Sequence, residues 1–180
     1  MAYDTGFWSR YSLQREADLS YHKLARDFLA NLCTRLRDDA ARPAAGTVAV
    51  PTGGAVPVPG QPAAVTLDPA PYCDAQTRFS SYLRRPPVVS LVSRRARAGK
   101  PASLRIAVSK PAYVKLAVRR GDRTVAVFGA QVASGRRTLV WPRPRPGAGY
   151  EVMLRATDLA GNVGSATGEL DVLEARRKRG

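Results

Sequence analysis

A change of hydrophobic periodicity at Pro86 and Pro87 is the strongest constraint on how this chain folds. Before the two prolines, apolar residues recur every three or four positions, which is the spacing of an amphipathic α-helix. After them, apolar and polar residues alternate, as they do along β-strands that bury one face. Because proline lacks an amide donor and cannot continue a helix, the pair predicts a boundary between a helical part and a β part.

The β part, residues 88–174, is predicted to be an all-β sandwich. Its clearest strand runs from Tyr150 to Ala156, where every second residue belongs to one apolar face. Short segments of this kind, separated by Gly, Pro and Asp turns, cover residues 88–92, 104–108, 114–118, 125–128, 139–141, 150–156 and 168–173. Their order and spacing resemble bacterial immunoglobulin-like or fibronectin-like modules. Calcium ligation is an alternative role for Asp158 and Asn162, but hairpin turn chemistry explains them better.

The helical part, residues 1–85, contains two predicted helices separated by an insertion. The first begins near Asp18, a candidate N-cap, ends near Asp39, and has the apolar stripe Tyr21, Leu24, Ala25, Phe28, Leu29, Leu32, Cys33 and Leu36. The second covers residues 74–84. The insertion, residues 42–71, is rich in Ala, Pro and Gly and almost free of charge, which favours a loop or linker.

The two cysteines leave two interpretations open. Cys33 and Cys73 pair as a disulfide if the protein is exported, or Cys33 is a small apolar residue of a helix face. Together with His22, the sole histidine, they fall short of the four ligands of a structural zinc site. We therefore expect no metal and no cofactor.

The formal net charge of +15 predicts an attraction to polyanions such as nucleic acid, anionic lipid or acidic polysaccharide. A coding bias towards Arg, Ala, Pro and Gly is the alternative cause of that charge. The arginines are scattered and not interleaved with stacking aromatics, which makes nucleic acid the less favoured partner. The basic tail, residues 175–180, is most simply a solvated run of charge. No apolar run approaches the roughly 20 residues of a membrane helix, and nothing near Met1 has the form of a signal peptide.

Aromatic residues are concentrated at the start of the chain, in a segment without helical or strand periodicity. Phe7, Trp8 and Tyr11 stand close together, and Tyr21 and His22 follow shortly after. Such a concentration favours a pocket wall or a platform for a sugar ring over an ordinary core.

Residues 1–85 resemble the last portion of the D-glucuronyl carbon-5 epimerases, which convert glucuronate to iduronate in heparosan-type polysaccharides. The resemblance rests on Tyr3-Asp4-Thr5-Gly6, Tyr11-Ser12-Leu13, Tyr21-His22 entering a leucine-striped helix, and a final helix with Phe79, Ser81, Tyr82 and Leu83. It implies a helical fragment of an α/α toroid. The whole chain is then an α+β multidomain protein, in which that fragment precedes an immunoglobulin-like sandwich.

The resemblance assigns the catalytic roles to Tyr11 and Tyr21. Epimerisation at carbon 5 removes a proton beside a carboxylate and returns one to the opposite face, which requires an acid/base group on each side of the sugar. Core packing is the alternative role for both tyrosines, and Tyr21 in particular lies on the apolar stripe of the first helix.

Substrate binding is expected to involve residues close to these tyrosines. Arg10, Arg15 and His22 are candidates for neutralising the substrate carboxylate and the charge that develops during proton abstraction. Trp8 is a candidate for stacking on a sugar face. Core packing for Trp8, and a surface or capping position for His22, are the structural alternatives.

Three functions follow from these observations. The first is a fragment of a uronate epimerase with little or no activity as this chain, because two helices cannot close a toroid. The second is a non-catalytic module that binds an acidic glycan, and the third is nonspecific binding of nucleic acid. For the full-length protein we expect an extracellular or cell-envelope location.

Overall fold

The structure is a computed structural model, and it describes residues 4–41, 47–49, 55–57 and 67–175. These ranges form helices α1 (Leu19–Ala41) and α2 (Ala70–Tyr82). They also form ten strands: β1 (Thr47–Ala49), β2 (Ala55–Pro57), β3 (Val89–Leu91), β4 (Arg95–Arg97), β5 (Ala102–Val108), β6 (Ala112–Arg120), β7 (Arg123–Val132), β8 (Gly135–Trp141), β9 (Gly147–Asp158) and β10 (Val163–Leu173).

The chain divides into two compact units. The strand unit contains residues 1–19 and 82–180, and the helical unit contains residues 20–81, so the helical unit is inserted within the sequence of the strand unit.

The fold class predicted from the sequence is wrong. The resemblance to the epimerases implies a helical fragment of an α/α toroid, whereas the described residues contain two helices against ten strands. Residues 4–17, which we call the strap, form no helix and belong to the strand unit. Isolated β-bridges within the strap join Asp4 to Ser9 and Arg10 to Glu16. The chain is therefore β-rich and is not a toroid fragment.

Two sheets of the strand unit enclose one hydrophobic core. One sheet has the strand order β4-β10-β9-β6-β7, and the other has the order β3-β5-β8. Alternation places every second residue of β5, β6 and β9 inside, and the core centre includes the fully buried Leu104, Ile106, Val114, Leu116 and Val152. All seven segments predicted to be strands overlap observed strands. The sequence misses β4, because a three-residue strand with two arginines gives no alternation of apolar residues to detect.

Lys110 and Asp158 form a buried ion pair inside the strand unit. Lys110 Nζ lies 2.5 Å from Asp158 Oδ2, and the side chains are 1% and 0% exposed. Lys110 also donates hydrogen bonds to the backbone carbonyls of Tyr82, at 2.7 Å, and of Arg85. Three acceptors thus satisfy the three hydrogens of the ammonium, which is what a buried charge requires.

Asp158 also organises the turn between β9 and β10. Its Oδ1 accepts hydrogen bonds from the backbone N–H groups of Ala160 at 2.9 Å and Asn162 at 2.8 Å. The side-chain amide of Asn162 donates to Asp158 Oδ2 at 3.0 Å and to the Leu83 carbonyl at 2.8 Å. The interpretation of Asp158 and Asn162 as hairpin turn residues is therefore confirmed.

Trp8 attaches the strap to the same network. Lys110 Nζ lies 5.6 Å from the centroid of the Trp8 ring, within the range of a cation–π interaction. The indole N–H of Trp8 donates to the Ala17 carbonyl at 2.7 Å and so links the first half of the strap to its last residue. At the start of the strap, Asp4 Oδ1 accepts a hydrogen bond from the Tyr82 hydroxyl at 2.9 Å.

A disulfide between Cys33 and Cys73 joins the two helices of the helical unit, with 4.9 Å between the Cα atoms. His22 strengthens the same contact between the helices. It is fully buried, stacks on Phe79 with 5.4 Å between ring centroids, and places Nε2 3.0 Å from the Phe79 carbonyl oxygen.

The buried face of α1 differs from the predicted stripe. Cys33, Leu36 and His22 are buried, whereas Leu24 and Phe28 are 64% and 65% exposed. Because Cys33 must face α2, the residue three turns earlier, His22, faces α2 as well. The disulfide therefore fixes which face of α1 is inside.

Part of the predicted insertion, residues 42–71, is described. The strands β1 and β2 pair antiparallel within it, and α2 begins at Ala70, whose N–H is capped by Asp68 Oδ1 at 2.9 Å. Residues 42–46, 50–54 and 58–66 of the insertion, and residues 176–180 of the predicted basic tail, lie outside the described residues.

We predict that Lys110→Met lowers the free energy of unfolding of the strand unit by about 3–5 kcal/mol, because it leaves the Asp158 carboxylate buried without a countercharge. Urea denaturation followed by tryptophan fluorescence measures this, since Trp8 and Trp141 both belong to the strand unit. Lys115→Met, on the exposed face of β6, is the matched control and should change stability by less than about 0.5 kcal/mol. Equal urea midpoints for the two variants would contradict the prediction.

We predict that reduction of the disulfide destabilises the helical unit by about 4 kcal/mol, the chain-entropy value for closing a loop of this size. Urea denaturation followed by circular dichroism at the helix band, with and without reductant, measures the loss. A Cys33→Ala/Cys73→Ala variant is the control, because its transition should not respond to reductant. If the urea midpoint of the wild-type protein is also the same with and without reductant, the disulfide does not stabilise the helices.

Candidate anion-binding site

A cavity of about 930 Å³ lies in the strand unit where three strand connections converge. Its lining includes five exposed cationic side chains and no carboxylate: Lys100, Arg120, Arg123, Arg143 and Arg145. In the part of the chain that the structure describes, none of the five has an ion-pair partner. We call this feature the five-cation cavity. Its uncompensated positive charge makes it the strongest candidate for binding an anion.

Local sequence holds the cationic side chains of two connections in place. In the β8–β9 connection, Pro142 and Pro144 fix the backbone φ angle beside Arg143 and Arg145, which reduces the conformational freedom that binding would otherwise remove. In the β6–β7 hairpin, Gly121 adopts a φ of 56°, a left-handed conformation that suits glycine in a tight turn.

Two buried aromatic rings support the cavity from below. Trp141 and Tyr150 are 4% and 2% exposed and meet edge to face, with 5.5 Å between ring centroids. The guanidinium of Arg120 lies 5.5 Å from the Tyr150 ring centroid, and the Tyr150 hydroxyl donates to the Arg145 carbonyl at 3.0 Å. A Cβ at Gly147 would lie 2.9 Å from the Arg120 guanidinium carbon, so glycine leaves room for this arginine. The Tyr150 ring therefore orients Arg120, and the Tyr150 hydroxyl holds the segment that carries Arg145.

Four of the residues predicted from the sequence lie on the strap. Tyr11 is 55% exposed, and Arg10 and Arg15 are also exposed. The backbone N–H of Tyr11 donates to the Arg15 carbonyl at 2.9 Å, so these two residues are neighbours. Trp8 is 1% exposed and packs within the strand unit, so its indole offers almost no surface to a sugar.

Tyr21 and His22 belong to the helical unit. Tyr21 is 46% exposed, whereas His22 is fully buried against Phe79. None of the six residues predicted to act at a site lines the five-cation cavity. The catalytic roles of Tyr11 and Tyr21, and the binding roles of their neighbours, stay predictions.

Sequence reasoning missed the five-cation cavity. Its cationic residues come from three connections that are distant in sequence, and only Trp141-Pro142-Arg143-Pro144-Arg145 gives a local signal of rigidly held arginines. Among the described residues, no three His, Cys, Asp or Glu side chains cluster as metal ligands. The described helices include none that is both long and apolar enough to cross a membrane.

Comparison with known proteins leaves the family open. No protein-family model matches the chain, and no curated protein matches it. One similar solved structure is an engineered protein that is 22% identical to this chain, with a TM-score of 0.40. The match covers 67% of this chain and 29% of the engineered protein.

Two further structures show weak similarity. CopC from Methylosinus trichosporium OB3b is 19% identical over 50% of this chain and 98% of its own, with a TM-score of 0.36. The N-terminal Ig1-2 module of the Drosophila receptor protein tyrosine phosphatase DLAR is 19% identical over 52% of each chain, with a TM-score of 0.33. Because these TM-scores are low, the similarities carry no conclusion about fold or function.

Proposed function

We propose that this chain binds an acidic, uronate-containing polysaccharide at the five-cation cavity, and that it does so without catalysis. The observation that carries the proposal is the convergence of five exposed cations in one cavity whose lining has no carboxylate. Guanidinium groups form paired hydrogen bonds with carboxylates, which gives such a cavity a geometric preference for the acidic groups of uronates.

Acidic polysaccharide is favoured over nucleic acid by the position of the aromatic rings. Proteins that bind single strands present exposed aromatic faces on which bases stack. The two rings at the five-cation cavity, Trp141 and Tyr150, are buried beneath it and offer no such face. Ligand contact is therefore left to the cationic side chains and to polar groups such as the hydroxyl of Thr124.

We predict that Arg123→Gln/Arg143→Gln weakens binding of heparosan about tenfold or more, because it removes two of the five cations that line the cavity. The measurement is the dissociation constant from isothermal titration calorimetry at physiological ionic strength. Both residues are exposed, so the variant should keep the wild-type fold.

The matched control is Arg136→Gln/Arg137→Gln. It removes the same amount of charge from the N-terminal end of β8, whereas Trp141 is at the C-terminal end of that strand. Arg137 and Arg136 lie about 13 and 17 Å along the strand from Trp141 at the cavity, and their loss should weaken binding less than threefold. Equal losses for both double variants, together with equal affinity for heparosan and for duplex DNA, would show unspecific attraction to charge and contradict the proposal.

For the epimerase hypothesis we predict no measurable deuterium incorporation at carbon 5 of heparosan in heavy water. Tyr11 and Tyr21 are 55% and 46% exposed, so neither lies in the water-excluded kind of site in which fixed donors strongly stabilise the charge that develops at carbon. Mass spectrometry or NMR of the recovered polysaccharide measures the exchange, with a buffer blank as control. Exchange that is lost in Tyr11→Phe or Tyr21→Phe would establish catalysis and show that the prediction is wrong.

A further inference from the structure

The positive charge of the five-cation cavity continues along strand β4. Arg95 and Arg97 of β4 are exposed, and Ala96 between them is buried, so both arginines point to the outer face of the sheet. Lys100, which lines the cavity, follows Arg97 by three residues. The Cα atoms of Arg97 and Lys100 are therefore at most about 11 Å apart.

β4 lies at the edge of its sheet. In the two sheets of the strand unit, as far as the structure describes it, β4 is an outermost strand that pairs with β10 only. Arg97 is the register partner of Leu173, an uncharged residue. Arg95 is the register partner of Asp171, whose Oδ1 accepts a hydrogen bond from the Gly149 N–H at 3.1 Å. The described residues give neither arginine an ion-pair partner.

We propose that the ligand is an extended acidic chain that occupies the five-cation cavity with one portion and lies along Arg97 and Arg95 with the next. This inference rests on the proposed function and specifies its ligand class: a polymer that extends beyond the cavity, and not a single acidic sugar. Two arginines on one side of a strand lie about 7 Å apart, so they contact successive groups of a chain and do not converge on a single group.

A protective role is the structural alternative for the same arginines. Charged side chains on an outermost strand prevent edge-to-edge pairing with another molecule, and this needs no ligand. The two roles differ in what a binding experiment shows. A protective arginine leaves affinity unchanged for ligands of every length, whereas a contact to an extended chain affects long ligands only.

The test compares two probes, a heparosan tetrasaccharide and long heparosan chains, on the full chain and on its Arg95→Gln/Arg97→Gln variant. We expect the variant to bind the tetrasaccharide within twofold of wild type and long heparosan about tenfold more weakly. The slope of log affinity against log salt for long heparosan should be shallower for the variant than for wild type, because with each lost contact to a polyanion fewer counterions are released on binding. Arg136→Gln/Arg137→Gln, with the same loss of charge, should keep the wild-type slope.

The results separate this inference from the proposed function. If Arg123→Gln/Arg143→Gln weakens both probes while Arg95→Gln/Arg97→Gln binds long heparosan as wild type does, the cavity is the whole site and the inference is wrong. Equal weakening of both probes by Arg95→Gln/Arg97→Gln would also overturn it. If the wild-type chain binds neither probe, the proposed function and the inference both fail.

Discussion

The buried ion pair between Lys110 and Asp158 joins parts of the strand unit that are distant in sequence. Lys110 binds the carbonyls of Tyr82 and Arg85 and lies over Trp8 of the strap, and Asp158 holds the turn between β9 and β10. A buried ion pair adds little net stability compared with an apolar contact, but one partner without the other is costly. Its main effect here is therefore to join the strap and the segment after α2 to the strands at defined contacts.

The strands of the strand unit were predictable because each buries one face. Alternation identifies such strands without knowledge of their neighbours, and β9 is the clearest case. The five-cation cavity was not predictable, since Lys100, Arg120 and Arg143 come together only when three connections converge. The contact of the strap with Lys110 was not predictable for the same reason. Its Trp8 packs on Lys110, a partner that no local pattern indicates, and the aromatic residues around it suggested a pocket wall.

The helical unit shows how one covalent bond overrides a hydrophobic pattern. From the pattern alone, Leu24 and Phe28 belong inside and His22 lies at the margin, yet the structure has the reverse. The pattern of α1 allows more than one inward face, because apolar residues occupy more than half its circumference. The partner of Cys33 decides among these faces, and the sequence left that partner open.

The insertion of the helical unit within the strand unit affects the order in which the protein assembles. The strap is synthesised before the helical unit, but its partners Lys110 and Ser134, whose N–H donates to the Glu16 carboxylate, are synthesised after the whole of that unit. During synthesis, α1 and α2 can pair while Trp8 still lacks its partner. Contacts between segments so far apart in sequence form slowly. The strap is thus made before its partners, and the strand unit is complete only when they meet.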